Sequence, residues 1–179
     1  MNDNEIRNSV LEFAYNKAKE AGIIEGGRFT DHEISKLEGL EGIEKNRIDF
    51  NVDYLEKKGL IKWITTGRMT IAIWGIDYYE RIHPEVLLVI PKESKMADNE
   101  IRDAILEAAY NKAKEASSIE LGRFNVYEIS KLEGIEKNRI NFNADYLNKK
   151  GLVKWAAMGG NMAITVVGVD EYERMHKHE

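Results

Sequence analysis

The stretch Gly42–Trp63 reads GIEKNRIDFNVDYLEKKGLIKW, and Gly134–Trp155 reads GIEKNRINFNADYLNKKGLVKW. The first contains a helical pattern in which Ile48, Val52 and Leu55 return every three or four residues, and the second repeats it almost unchanged. A glycine stops the pattern, and a β-prone run then opens at Leu60 or Leu152. A chain that contains this helix-to-strand junction twice points to two copies of one domain.

The match extends outward from the junction. NEIRNSVLEFAYNKAKEA from Asn4 aligns with NEIRDAILEAAYNKAKEA from Asn99, and DYYERIH near Asp77 aligns with DEYERMH near Asp170. Roughly two-thirds of the aligned positions are identical, and both length differences fall in turns. The reading is therefore one domain at 1–83, a joint at 84–98 and a second domain at 99–179. The only two prolines, Pro84 and Pro91, bracket the apolar run EVLLVI within that joint. That run is expected to pack between the domains or to pair as a short strand.

Within a copy, Ile6, Val10, Phe13, Ala14, Ala18 and Ala21 line one face of a first helix ending near Gly22. Thr30 and Glu33 form a capping-box pattern that opens a second helix, with Asn125 and Glu128 in the same places in copy two. A third helix runs from about Glu44 to Lys58, where Gly59 is placed to close it in a left-handed conformation. LIKWI and MTIAIW form a hairpin around TTGR, with LVKWA, MGGN and MAITVV opposite, and a short helix ends each copy. Trp63 and Trp155 are expected to seal the hairpin against the first helix, and Asn51 and Asn143 to bond backbone at the turn. The fold class is mainly α with small β-hairpins (α+β).

This order, with YLEKKGLIKW and TIAIWGIDYYE, resembles the winged helix-turn-helix family, especially small archaeal and bacterial transcriptional regulators. The resemblance spans about 80 residues of each copy. It implies tandem winged-helix domains whose third helices enter the major groove of double-stranded DNA. It places Asn46, Arg47, Asp49 and Phe50, and in copy two Asn138, Arg139, Asn141 and Phe142, on the base-facing positions. Asn suits adenine, Arg suits guanine, and an apolar ring suits a thymine methyl. Lys57, Lys58 and Lys62, Arg68 of the hairpin, and Lys149 and Lys150 are placed for phosphate. Because regulators of this family work as symmetric dimers, a duplicated chain is expected to act as an intramolecular pseudo-dimer, or to form a homodimer that presents four such helices.

Charge qualifies the expectation. The net charge is −5, so phosphate is repelled at long range. Residues 44–62 hold five basic and four acidic groups, whereas 136–154 hold five and two, so the second copy is expected to grip DNA harder. The alternative is a tandem winged-helix protein-interaction module, similar in layout to segregation and condensation protein B of bacterial chromosome complexes. In that reading, Phe50 and Tyr54 with Phe142 and Tyr146 form a partner surface.

Other classes find little support. There is no cysteine, no phosphate-binding loop and no nucleophile elbow, so neither enzyme nor cofactor is expected. His83, His176 and His178 lie at helix ends or in the tail, and no resident metal is expected. MNDNEIRNSV lacks the pattern of a signal peptide and no apolar run is long enough for a membrane span, so a cytoplasmic protein without a membrane partner is expected.

Overall fold

A computed structural model describes residues 1–88, 96–157 and 159–176 of the 179-residue chain. The expectations that fell on Val89, Ile90, Pro91, Met158 and His178 lie outside the described residues. The chain divides into two compact units, Met1–Val86 and Leu87–Glu179, and the dividing point falls inside the 84–98 joint. Mainly helical, each unit carries one small antiparallel sheet, an α+β composition.

In the first unit, helix α1 spans Asp3–Ala21. Asn2 accepts from the Glu5 amide while the Glu5 carboxylate accepts from the Asn2 amide, so two orphan donors of the first turn are satisfied. Gly22, at φ 69°, ends the helix in the left-handed conformation. Ile6, Val10, Leu11, Ala14 and Ala18 are buried on one face. Helix α2 is a single turn, Asp31–Ile34, opened by the Thr30–Glu33 capping box. Helix α3, Lys45–Lys57, buries Ile48, Val52 and Leu55. Strands β1 (Ile61–Thr65) and β2 (Arg68–Ile71) pair around Thr66–Gly67, and a bridge from Phe29 to Met69 flanks β2 on its other side. Helix α4, Ile73–Ile82, closes the unit. Helix α5 is a single turn at Glu85–Leu88, so the described part of the apolar run is helical and not a strand.

In the second unit the long elements repeat: α6 (Asp98–Glu115), α7 (Lys137–Lys149), β4 (Val153–Ala157), β5 (Asn161–Ile164) and α8 (Val166–Met175). A two-residue strand β3, Phe124–Asn125, pairs with β5 to give the order β3-β5-β4. The core gathers Ile101, Ile105, Val126, Leu132, Leu147 and Ile164 with their neighbours.

Two expectations fail here. The second helix of copy two is absent: Val126–Glu128 and Ser130–Leu132 are 3₁₀ turns. Asn125 accepts from the Tyr127 amide two residues on, where Thr30 reaches the Glu33 amide three residues on. The asparagine thus closes a tighter local turn in place of the capping box. Val126 and Tyr127 also replace Asp31 and His32, and so remove a carboxylate that favours a helical first turn. Nor do the tryptophans seal the hairpin, for Trp63 is 45% exposed and Trp155 39%. Both lie on the edge strand, while the inner strand holds the buried Met69 and Met162.

Candidate nucleic-acid interface

The third helix of each unit is fixed to the first helix by the same five side chains. In the first unit, the Arg47 Nε donates to Asp3 Oδ1 at 2.7 Å, and the Asn51 amide donates to the Arg47 carbonyl at 2.9 Å. The Arg7 Nε donates to Asn51 Oδ1 at 2.8 Å, and its guanidinium lies 3.7 Å from the centre of the Tyr54 ring. In the second unit the same roles fall to Arg139, Asp98, Asn143, Arg102 and Tyr146. Arg102 again donates to Asn143 at 2.8 Å and its guanidinium lies 3.7 Å from the centre of the Tyr146 ring. Asn51 and Asn143 therefore bond a carbonyl of their own helix and anchor a neighbouring arginine, and do not bond the turn.

The clamp was invisible in the sequence because an apolar period describes one helix at a time. Its signals are short polar side chains on the inward edge, Asn51 and Asn143, and an arginine, Arg7 or Arg102, one position after a core isoleucine. Solvation separates the two copies. Arg47 and Asp3 are about half exposed, and hydrogen bonds from Arg47 and Asn51 hold the Asp3 carboxyl below the usual carboxylate range. Arg139 and Asp98 are buried: Nε and Nη2 of Arg139 donate to Asp98 Oδ1 at 3.2 and 2.8 Å, and Nη2 also donates to the Met96 carbonyl.

On the outer face of α3, Asn46 is exposed and Phe50 is 58% exposed. Each of the five basic residues between 44 and 62 has a partner. Lys45 pairs with Asp49 at 2.6 Å, which raises the lysine's pKa, and Arg47 pairs with Asp3. Lys57 lies 3.3 Å from Glu56 and 3.9 Å from Asp53. Lys58 lies 5.6 Å over the Tyr54 ring, and Lys62 meets Glu25 at 2.9 Å. Arg68 is exposed beside the tip of the hairpin.

In copy two the expected reading face is largely withdrawn. Arg139 is consumed by the buried clamp, and Phe142 is fully buried although it points away from the core-facing Ile140, Ala144 and Leu147. Asn141 accepts from the Tyr127 hydroxyl at 2.6 Å. Asn138, Lys149 and Lys150 are exposed. The base-facing positions expected of Arg139 and Phe142 are therefore corrected: both side chains are buried, so the extra positive charge of this helix does not come with an accessible arginine or phenylalanine ring.

Among the described residues no group of three or more His, Cys, Asp or Glu side chains could hold a metal ion, and no helix is long and apolar enough to cross a membrane. No protein-family model matches the chain, and neither a curated protein nor a solved structure shows significant similarity to it.

Proposed function

We propose that the chain is a tandem winged-helix DNA-binding protein of the transcription-regulating kind, in which the first copy reads the major groove and the second contributes phosphate contacts. The observation that carries this is the disposition of α3. One edge is locked to α1 by Arg7, Asn51 and Asp3, while Asn46 and Phe50 stand exposed one turn apart on the other side. A rigid helix with a free amide and a free ring suits an adenine edge and a thymine methyl. Lys57, Lys58 and Arg68 flank that face for phosphate. The ion pairs that hold Lys45 and Lys57 are exposed, each worth about 0–1 kcal/mol, so phosphate can replace them at small cost. Asn138, Lys149 and Lys150 support a lesser role for copy two.

Fluorescence anisotropy of a labelled random-sequence duplex, titrated with the full chain at about 50 and about 200 mM salt, tests this reading. With Lys57, Lys58, Arg68, Lys149 and Lys150 on phosphate, the slope of log K against log salt is about −4 to −5, and Arg68→Ala reduces its magnitude by about one. Absence of binding at the lower salt would remove the proposal.

A second reading, a protein-interaction module, is favoured by a separate observation. The five cations of 44–62 are already partnered, whereas Phe50, Trp63 and Trp74 of the same unit are 58%, 45% and 66% exposed. In that case duplex is ignored at both salts, and Phe50→Ala weakens a protein complex instead.

A further inference from the structure

The two copies differ at one place in a way that creates a cleft. Position 13 in the first helix of copy one is phenylalanine, and its counterpart in copy two is Ala108. The Phe13 ring packs edge-on against Phe29, with centroids 5.7 Å apart, and Lys17 crosses it to reach Glu33 at 3.3 Å. What remains beside Phe13 is a cavity of about 350 Å³ bordered by Glu12 and Glu38, which does not reach Phe29.

In copy two both closures are missing. With Ala108 in place of the ring, Lys112, the counterpart of Lys17, turns along its own helix to Glu115 at 2.7 Å. The 3₁₀ turns that replace the second helix border the same space. The result is a cleft of about 620 Å³ between α6, the 3₁₀ turns and β3. This is within the range of small-molecule sites, roughly 300–1,000 Å³. Its apolar floor is Ala104, Ala108, Phe124 and Ile129.

Three cations, Lys112, Arg123 and Lys131, and two carboxylates, Glu107 and Glu128, border the cleft, so its side chains sum to one positive charge. Lys131 is satisfied by Glu107 and Lys112 by Glu115. Arg123 is exposed and makes no ion pair among the described residues. An arginine fork above an apolar floor is the donor arrangement that takes a carboxylate with two parallel hydrogen bonds.

We propose that this cleft binds a small aromatic monocarboxylate, its ring occupying the space that Phe13 fills in the first copy and its carboxylate held by Arg123. The ring meets Phe124 as Phe13 meets Phe29, and the single negative charge balances the cleft. The site lies wholly within Leu87–Glu179 and does not depend on DNA binding.

The test uses 1-naphthoate as probe, titrated into the full-length ¹⁵N-labelled chain and followed by amide shifts. Saturable shifts confined to Ala108, Phe124, Asn125, Ile129 and their neighbours are expected. Arg123→Ala weakens binding about tenfold, and the uncharged 1-naphthamide binds the native chain about tenfold more weakly than the acid. Ala108→Phe installs the residue of the first copy and abolishes the shifts, while the rest of the spectrum reports that the unit is folded. If Ala108→Phe does not fold, Arg123→Ala, a change at an exposed residue, decides alone. No saturable shift at these amides up to about 5 mM probe overturns the proposal. So does an affinity unchanged in Arg123→Ala.

Discussion

Arg139 grips Asp98 through two guanidinium nitrogens and both side chains are buried, whereas the equivalent Arg47 grips Asp3 through one nitrogen and both are about half exposed. The same residue types on the same helices thus form a buried pair in one copy and a surface pair in the other. Burial decides what each is worth. An exposed pair is nearly balanced by hydration, but a buried charge that loses its partner has nothing to replace it. Asp98→Asn should therefore cost about 3–5 kcal/mol in urea denaturation followed by circular dichroism. Asp3→Asn should leave the urea midpoint close to that of the native chain. Equal effects in the two copies would contradict the account.

The clamp also shows where the sequence was legible and where it was not. Helices α1, α3, α6 and α7, both hairpins and the glycine stops follow from apolar period and turn chemistry, which act within a few residues of one another. The clamp joins residues 44 positions apart in the first unit and 41 in the second through side chains of ordinary surface type, and its local signals do not say which residues they pair. The resemblance places Arg47 and Arg139 on base-facing positions, but the apolar period of α3 and α7 says nothing of α1 and α6 beside them, which engage both arginines. The loss of the second helix in copy two is different in kind: Asn125 and Thr30 are both good capping residues, and the outcomes are separated by the reach of the asparagine to residue 127 and by the missing Asp31 carboxylate.

Tyr79 gives a pH prediction. It packs between Tyr15, 4.9 Å away, and His83, 4.8 Å away. Burial, with the nearby charges of Glu12 and Glu85, pushes its hydroxyl up from 10.0 to about 12. Because the folded value lies above the unfolded one, the stabilising contribution is intact below about pH 10 and is lost as pH rises through about 12. An ultraviolet titration of the eight tyrosines should show a step near pH 12, and Tyr79→Phe should remove it.

Gly75 and Gly168 lie at the start of the last helix of each unit, where the helix crosses a backbone carbonyl. A Cβ on Gly168 would fall 2.0 Å from the Leu152 oxygen, and one on Gly75 would fall 2.0 Å from the Leu60 oxygen. Those oxygens accept the amides of Thr165 and Ala72 at the foot of the same helices. Alanine must therefore push the helix off its anchor, at a cost of about 3 kcal/mol in either unit. Gly151→Ala is the control. It meets no atom within 4 Å and bears only the left-handed backbone at φ 73°, worth about 1 kcal/mol. Thermal melts of the three variants should rank in that order, with Gly151→Ala the mildest.

Phe50 and Phe142 separate stability from recognition. Phe50 is 58% exposed and its loss removes little packing, so Phe50→Ala should change the unfolding free energy by no more than about 0.5 kcal/mol. Phe142 is fully buried, and Phe142→Ala leaves a cavity that should cost about 3–5 kcal/mol. If the first copy reads DNA, Phe50→Ala also lowers affinity for duplex while the chain stays folded, a combination that a merely structural phenylalanine cannot produce. Chemical denaturation and duplex anisotropy on the same two variants measure both quantities. Should Phe142→Ala prove as mild in denaturation as Phe50→Ala, the second copy presents its ring to solvent after all, and the asymmetry between the two third helices is lost.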